Sequence, residues 1–581
     1  MRSKLRRIGA AAAAAGLGLS LAACGGSGSD DASGGDAEGS KGGTLHYLLN
    51  APIESADPQR VYYGFQLASW RRTLYRGLVA FPMDKDEKAG NTPVADLATD
   101  TGTPNEDASS WEFTIKDGVK WEDGSDITCE DFRYGASRVF ANDVITGGPN
   151  YTLSYLDVPQ KDGKPTYPGP YKATPEQQAE FDKAIACDGN KITYNFNKPW
   201  ADFPLAAAGM MMTDPYKESF DEGPKSEWKV LANGPYKLEG GVWDKNKGGT
   251  MVRNEAYDEK TDDPEKLRLA LPDEIVWSVD GSDEASEIIN QRLIADSGDD
   301  QYAITTGRVP ATMLQQVTGA VEERYSNVLS PYVRYLVLNA KSMTNPKVRE
   351  ALKVSTDIDS VIKAQGGDKI GVPAESLVNP VTPGYQDNPA FEGDNAGDVE
   401  AAKKLLEESG EKLPYPIQLS YAKSPTNDAA MGALQQKWEA AGFKVTLDGL
   451  GDTYYDVISK PDKKSDVMLA GWGNDWPSMM TVMPPLFDSR PNVSATDCNN
   501  DYGCYHSDEF NKKLDEAANA SDLDAQIKAL QESDEILGKD VAYIPLYVEK
   551  FNWLRGSKVT GFDVTPASSS YPEIGLIGVQ N

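Results

Sequence analysis

Residues 471–477, Gly-Trp-Gly-Asn-Asp-Trp-Pro, combine side chains that could bind a positively charged group. One carboxylate, Asp475, follows Asn474 and lies between two tryptophans, Trp472 and Trp476. A carboxylate between aromatic walls can pair with a ligand ammonium group, because partial desolvation strengthens the ion pair and makes an unpaired charge costly. The indole faces can cover ligand side chains of many shapes at a low cost in conformational entropy. These four residues are our candidates for ligand binding.

The same segment permits a structural interpretation. In that interpretation Trp472 and Trp476 are core residues, and Asp475 caps the helix that follows. The sequence alone leaves both interpretations open.

Residues for catalysis are scarce. The chain has two histidines, His46 in a predicted strand and His506 in a predicted loop, and neither stands in a zinc-binding spacing such as H-E-x-x-H. Neither a G-x-S-x-G elbow nor a phosphate-binding G-x-x-x-x-G-K-[ST] loop occurs in the sequence. The 89 Asp and Glu residues leave a glycosidase-type carboxylate pair open on composition alone. We predict a protein that is not an enzyme and that uses no cofactor or metal.

The first 24 residues have the parts of a secretory signal. Four basic residues precede an apolar stretch at residues 8–21, which is shorter than the roughly 20 residues of a membrane-spanning helix. The ending Leu-Ala-Ala-Cys resembles a bacterial lipobox, in which the cysteine receives a diacylglycerol and becomes the new N-terminus. We therefore expect residues 1–23 to be a signal peptide and Cys24 to be a lipid anchor. An ordinary signal with a spare thiol is the alternative.

Residues 24–43 are mostly Gly, Ser, Ala, Asp and Glu, a composition that predicts a flexible tether. The rest of the 581-residue chain exceeds what one hydrophobic core usually supports, so we expect two or three lobes. The net charge of −31 argues against nucleic acid as a partner and is typical of a solvated acidic surface.

Four cysteines remain if Cys24 carries lipid, and an oxidising compartment would permit two disulfides. Four cysteines allow three connectivities. We favour Cys129 with Cys187 and Cys498 with Cys504, because the second pair brackets a short polar loop that closes easily. A zinc site at Cys498, Cys504 and His506 is weaker, since no second Cys or His group completes it.

Hydrophobic periodicity predicts a mixed α/β chain. Alternating apolar residues at 111–115 and 119–121, separated by Lys-Asp-Gly, predict a hairpin, and Thr128 with Asp131 predicts a capped helix. Between residues 416 and 472 the period switches from strand to helix and back, with Gly442 ending the long helix. This βαβαβ pattern predicts a parallel sheet, and ligands bind beyond the carboxyl ends of such strands, where residues 471–477 lie.

Several short motifs occur in a characteristic order. The segment from Trp111 to Gly124, Trp-x-Phe-x-Ile-x-x-Gly-Val-x-Trp-x-Asp-Gly, precedes Thr-x-Glu-Asp-Phe at residues 128–132. Gly-Gly-Thr-Leu at residues 42–45, Asp-Pro at 57–58 and Asn-Gly-Pro-Tyr-Lys-Leu at 233–238 also fit. Together they resemble the peptide/nickel-type solute-binding proteins of ABC importers, which form solute-binding protein family 5. Cys129 is a departure, because relatives often carry a small residue there.

The resemblance implies an α/β, two-lobed periplasmic-binding-protein fold of the large, cluster C-like type. It implies that lobe I is discontinuous, with hinges near residues 332–339 and 538–547. The expected segments are 44–92 (lobe I, first segment), 93–200 (extra subdomain), 201–335 (lobe I continued), 336–540 (lobe II) and 541–581 (return to lobe I).

The resemblance also implies a function, in which the protein captures oligopeptides outside the cytoplasmic membrane and delivers them to an ABC permease by hinge closure. Asp475 matches the acidic residue that contacts the free amine of a bound peptide. Ile53 and Glu54, just before Asp57-Pro58, match a position that supplies backbone contacts to ligand. We expect a monomer that is held at the membrane only by lipid. Alternatives are another small solute, such as a nickel chelate, haem or saccharide, and a signalling lipoprotein that transports nothing.

Overall fold

A computed structural model of the chain describes residues 41–161 and 163–580. The predicted signal peptide, Cys24 and all but residues 41–43 of the predicted tether lie outside the described residues. In the described part of the chain, no helix combines the length and the apolar character required to cross a bilayer.

Most strands up to residue 305 are two to five residues long. In chain order they are β1 (Thr44–Leu49), β2 (Val79–Ala80), β3 (Val94–Ala95), β4 (Thr103–Pro104), β5 (Ser110–Thr114), β6 (Gln160–Lys161), β7 (Lys164–Pro165), β8 (Ile185–Asp188), β9 (Lys191–Asn195), β10 (Tyr236–Leu238), β11 (Gly248–Arg253), β12 (Glu274–Val279) and β13 (Ala303–Thr305). The later strands are β14 (Tyr325–Leu338), β15 (Gly371–Pro373), β16 (Tyr415–Ala422), β17 (Phe443–Leu450), β18 (Val467–Gly473), β19 (Tyr543–Leu554), β20 (Val559–Thr560) and β21 (Gly578–Val579).

Helices occur throughout the described chain. They are α1 (Gly64–Thr73), α2 (Glu87–Gly90), α3 (Cys129–Arg138), α4 (Thr152–Tyr155), α5 (Pro175–Ala184), α6 (Phe203–Gly209), α7 (Pro264–Leu267), α8 (Ala285–Ala295), α9 (Pro346–Val354), α10 (Ile358–Gln365), α11 (Val399–Ser409), α12 (Pro425–Ala441), α13 (Tyr454–Ile458), α14 (Met483–Phe487), α15 (Ser489–Asn492), α16 (Asp508–Ala518) and α17 (Leu523–Asp540).

Two large sheets organise the two lobes. The first sheet has the order β10-β11-β12-β1-β13, with β1 parallel to both β12 and β13. The second has the order β15-β19-β14-β18-β16-β17, with β16 parallel to β17 and to β18. The predicted βαβαβ unit is therefore present as β16-α12-β17-α13-β18, and Gly442 ends α12 in the left-handed conformation, which glycine adopts without a steric penalty. The fold class is α/β, as predicted, while the individual domain limits stay a prediction.

Residues 559–579 pack with β1, the first strand of the described chain. Val559, Ile574, Ile577 and Val579 are buried in the same hydrophobic core as Leu45 and Tyr47 of β1. Residues from the first and the last described segments thus share one core, and the buried apolar residues of 336–540 lie mostly in others.

Two long strands of the second sheet, β14 and β19, run between hydrophobic clusters: Leu554 is buried with Leu48 of β1, and Leu336 and Leu546 are buried in the core of residues 336–547. β14 and β19 pair antiparallel from Tyr325 and Leu554 at one end to Val337 and Tyr543 at the other. Their pairing is irregular between Leu329 and Val333, which matches a β-bulge that bends the ladder. We predict that this irregularity, close to the first predicted hinge, is where the pair flexes.

The predicted hairpin at residues 111–121 is wrong. β5 pairs with β4 and with β9, and the Ile115 N–H donates to Asn190 O at 2.8 Å. Residues after 115 leave this sheet. Val119 and Trp121 belong to a separate chain reversal, in which the Ile127 N–H donates to Val119 O. Both apolar runs are buried in the same core, so the alternation identified burial but not the strand partner.

Local signals were more reliable for helix ends. Thr128 and Asp131 form the predicted capping box of α3, and the Asn345 side chain caps α9 with Pro346 in its first turn. Both proposed disulfides are present. Cys129–Cys187 joins α3 to β8 across a sequence separation of 58 residues, and Cys498–Cys504 joins two cysteines with a sequence separation of 6. Since these thiols are bonded to each other, they are not zinc ligands.

Candidate functional site

A cavity of about 900 Å³ lies between the two lobes. Its lining comes from separate parts of the chain, including Tyr62 near α1, Arg308 after β13, residues 471–477 at the end of β18, and Tyr571 near the C-terminus. A volume in this range is typical of small-molecule sites.

The end of β18 places residues 471–477 at the cavity. Gly471 and Gly473 pair with Arg334 and Tyr332 of β14, whereas on its other edge β18 pairs with β16 only at Val467 and Met468. Beyond Met468 that edge has no strand partner within the described residues. A side chain at position 473 would place its Cβ 2.8 Å from the Tyr332 ring, so the close approach requires glycine.

Asp475 is held by two tyrosines from other parts of the chain. The Tyr62 hydroxyl lies 2.8 Å from each carboxylate oxygen, and the Tyr151 hydroxyl donates to Oδ2. The Asp475 N–H donates to Thr481 Oγ1 at 3.1 Å. In the described part of the chain, no Lys, Arg or His forms an ion pair with this carboxylate.

Burial raises the pKa of Asp475 to about 6, and the hydrogen bonds from Tyr151 and Tyr62 offset part of that rise. Burial also raises the pKa of Tyr62 and Tyr151 above their usual value, with the charge of Asp475 adding to the shift, so both hydroxyls stay protonated and act as donors. The site is therefore a desolvated carboxylate whose hydrogen-bond donors are neutral.

The two tryptophans differ. Trp476 is 3 % exposed, donates its indole N–H to Asp202 Oδ2 at 2.7 Å and packs edge-on against Tyr151 at 4.6 Å between ring centroids. Trp472 is partly buried and donates its indole N–H to Thr481 O at 2.8 Å. Both line the cavity, and Trp476 is also a core residue.

Asp475 does not cap the helical turn that follows. Ser478 does so, because its Oγ accepts the Met480 N–H at 3.2 Å. Asn474 stabilises the loop by donating from Nδ2 to Trp476 O at 2.8 Å, and its buried Oδ1 has no partner in the described chain. Buried acceptors without a donor are uncommon in folded proteins, so Asn474 Oδ1 is a possible ligand contact.

Ile53 and Glu54 do not line the cavity, contrary to the expectation. Ile53 is 2 % exposed, main chain included, and packs in the same core as Leu45 and Tyr47 of β1, so neither its side chain nor its backbone is available at the cavity. One oxygen of Glu54 accepts the N–H groups of Tyr62 and Tyr63, both at 2.7 Å. Glu54 therefore positions the backbone of Tyr62 and Tyr63, two residues that do line the cavity.

The two tyrosine partners of Asp475 were not predicted from the sequence. Tyr62 and Tyr151 are 413 and 324 residues away from Asp475 in sequence, and no local pattern signals such a contact. The described residues contain no group of three or more His, Cys, Asp or Glu side chains that could hold a metal ion.

The chain is similar to known proteins along almost its whole length. The oligopeptide-binding protein OppA of Bacillus subtilis (strain 168) is 24 % identical over 572 residues, covering 93 % of each chain. The glutathione-binding protein GsiB of Salmonella typhi is 24 % identical over 511 residues, covering 85 % of this chain and 87 % of its own.

Solved structures show the same fold. A clavulanic acid biosynthesis oligopeptide binding protein 2 superposes with a TM-score of 0.82 at 24 % identity, over 93 % of this chain and 96 % of that one. Haemophilus influenzae OppA in complex with RPPGFSPFR gives a TM-score of 0.63 at 19 % identity, over 92 % and 99 %. The family model for bacterial extracellular solute-binding proteins, family 5 middle, matches residues 92–494. The chain therefore belongs to the family 5 bacterial extracellular solute-binding proteins.

Proposed function

We propose that this protein is the substrate-binding component of an ABC importer and that its ligand is an oligopeptide. The observation that carries the proposal is Asp475, a partly buried carboxylate at the cavity that receives two hydroxyl donors and, among the described residues, pairs with no cation. The α-ammonium group of a peptide would supply the missing charge, and the carboxylate would accept its N–H groups.

The edge of β18 could bind the main chain of the peptide. Beyond Met468 this edge of β18 pairs with no strand of the described residues, and residues 471–473 line the cavity. An extended peptide can pair with such an edge through main-chain hydrogen bonds, which provide affinity with little side-chain selectivity. This mode suits a protein that gathers peptides of varied sequence, like the relatives whose names specify oligopeptides.

Delivery would follow from closure of the two lobes around the ligand. Asp475 is carried by the second sheet, whereas Tyr62 and Tyr151 belong to the first half of the chain, so a ligand bound among them favours the closed state. The lipid on Cys24 and the tether would keep this receptor beside the permease, outside the cytoplasmic membrane. The family consists of solute-binding proteins, which supports the expectation that the chain is not an enzyme.

A thermal-shift screen tests the ligand class. The purified protein is heated with unprotected tri- to pentapeptides, with the same peptides N-acetylated, and with nickel chelates, haem and saccharides. A peptide at 100 times its dissociation constant should add about 2.7 kcal/mol to the free energy of unfolding, a readily measured shift. Stabilisation by a chelate, haem or saccharide and by no peptide would contradict the proposal.

A further inference from the structure

The two disulfides differ in the charges beside their sulfurs. The Lys463 ammonium group donates a hydrogen bond to Cys504 Sγ at 3.1 Å. Among the described residues, no cationic side chain donates to either sulfur of Cys129–Cys187. A cation beside a sulfur stabilises a thiolate at that position, and a better stabilised thiolate leaves faster in thiol–disulfide exchange. The contact with Lys463 therefore makes Cys504 the better leaving group of the Cys498–Cys504 bond.

A buried carboxyl group lies inside the loop that this disulfide closes. The Asp501 N–H donates to Cys498 O at 3.0 Å, and the Asp501 carbonyl accepts the Cys504 N–H at 2.8 Å. The Asp501 side chain is fully buried, where Oδ1 accepts the Tyr505 N–H at 3.0 Å and Oδ2 has no partner in the described chain. Buried polar atoms without a partner are uncommon, and a redox role is one physical reason for keeping such an atom.

The lysine and the carboxyl group both titrate slightly above neutral pH. Burial raises the pKa of Asp501 to about 8, and the Tyr505 N–H and the Lys463 charge offset part of that rise. Burial lowers the pKa of Lys463 to about 8, against the charge of Asp501. The other charged groups that act on this pair are Asp488, Lys341, Asp462 and Asp497. At pH 7 Lys463 is mostly charged and Asp501 mostly neutral, so the loop holds no buried anion that would repel a thiolate.

The disulfide lies directly beneath the surface of the protein. Both cysteines are buried, but residues 499–500, which follow Cys498, are exposed. Main-chain bonds hold the loop on both sides, from the Cys498 N–H to Ser459 O at 2.7 Å and from the Ala340 N–H to Gly503 O at 2.9 Å. These bonds do not involve the sulfurs. A small movement of the exposed turn at 499–500 would admit a thiol while the loop stays in place.

We propose that Cys498–Cys504 is a redox-active disulfide that a dithiol reduces by exchange, with Cys504 as the leaving sulfur. A thiolate of the dithiol attacks Cys498 Sγ, the S–S bond breaks, and its electron pair passes to Cys504 Sγ beside Lys463. The second thiol of the dithiol then attacks the mixed disulfide and frees Cys498. The dithiol leaves as a disulfide, and its two protons pass to solvent or to the freed sulfurs. This activity is separate from the proposed peptide binding.

Reduction of the folded full-length protein by dithiothreitol tests the proposal. Free thiols are blocked first, and cysteines freed with time at pH 7 are alkylated and assigned by peptide mass spectrometry. Cys498–Cys504 should open before Cys129–Cys187. Lys463→Met should slow the opening of Cys498–Cys504 about 3- to 10-fold, because the pKa of the leaving thiol rises when the cation is lost. Lys464→Met, at the exposed neighbouring lysine, is the matched control and should leave the rate unchanged.

A pH series on the wild-type protein gives a second test that does not depend on the folding of a variant. After correction for the thiolate fraction of dithiothreitol, the rate constant should fall about 3- to 10-fold between pH 7 and 9. Lys463 loses its positive charge over this range while Asp501 gains a negative one. Asp501→Asn should show a smaller fall. A corrected rate constant that does not change with pH, or a Lys463→Met rate equal to that of the wild type, would leave a purely structural disulfide and overturn the proposal.

Discussion

Asp221 and Asp475 each accept hydrogen bonds from two tyrosine hydroxyls, but only Asp221 also pairs with an arginine. Its Oδ2 receives Tyr134, Tyr171 and, at 2.7 Å, Nε of Arg138. Burial alone would raise the pKa of Asp221, yet the Arg138 charge brings that pKa below its usual value. Burial raises the pKa of Asp475 to about 6, because its two tyrosine donors are neutral and offset only part of that rise.

The difference shows how a structural carboxylate can be distinguished from a ligand-binding one in the same protein. The Asp221 site is complete in the folded chain, since Arg138 is fully buried between Asp57, Asp221 and the Tyr216 ring. The Asp475 site has the same type of hydrogen-bond donors and no counter-charge. We assign the missing positive charge to the ligand.

The largest expected effect is a loss of stability on removing Arg138, the cation that pairs with Asp221. Arg138→Met leaves buried Asp221 without its arginine and leaves Asp57 only the longer contact to Arg60 at 3.4 Å. Breaking such a buried pair costs about 3–5 kcal/mol of unfolding free energy. Urea unfolding at pH 7 measures this loss. Because the folded pKa of Asp221 is lowered, its contribution is present above the unfolded-state value of about 4 and disappears as the pH falls through the folded pKa, so wild type and variant should converge in acid.

Asp475→Asn is the matched control for that loss of stability. It removes a charge that has no cationic partner, so its unfolding free energy at pH 7 should equal or exceed that of the wild type. A loss comparable to that of Arg138→Met would mean that the two carboxylates are equivalent, and the comparison would fail.

The next effect is a pH dependence of ligand binding. A carboxylate with a pKa of about 6 is mostly ionised at pH 7 and mostly protonated at pH 5, so affinity for a peptide with a free N-terminus should fall about tenfold between these values. Titration calorimetry across this range checks it, with N-acetylated peptide and Asp475→Asn as controls that should show no such fall. The stability of the unliganded protein should change in the opposite direction, because a raised carboxyl pKa makes the folded state bind more protons between about pH 4 and 6.

The smallest effect should come from Tyr62→Phe. Loss of this hydroxyl removes a donor to ionised Asp475 and leaves Tyr151 in place, so the pKa of Asp475 should rise further. Peptide affinity at pH 7 should then fall by a few-fold, consistent with one hydrogen bond worth about 1 kcal/mol, and the midpoint of the pH profile should move upward. An unchanged midpoint would show that Tyr62 does not tune the carboxylate.

The sequence was informative where the signal is local. The βαβαβ unit, the cap of α9 and the position of Asp475 after a buried strand each depend on residues within a few tens of positions. Contacts between distant segments were not accessible. β5 finds its partner about 80 residues later, Arg308 meets Glu549 across 241 residues, and Ile53 is core although its neighbours resemble a ligand-contacting segment. Such contacts depend on the packing of the whole chain, which periodicity does not encode.

The burial of Trp476 affects the rate at which the cavity opens. Its indole is buried among residues of the first half of the chain, and its N–H bonds Asp202, whose other carboxylate oxygen is buried without a partner. Withdrawing the 471–477 segment exposes this ring and leaves Asp202 without its donor, so each opening must pass over that barrier. We therefore expect ligand residence time to respond to changes at Trp476 more strongly than the rate of ligand capture does.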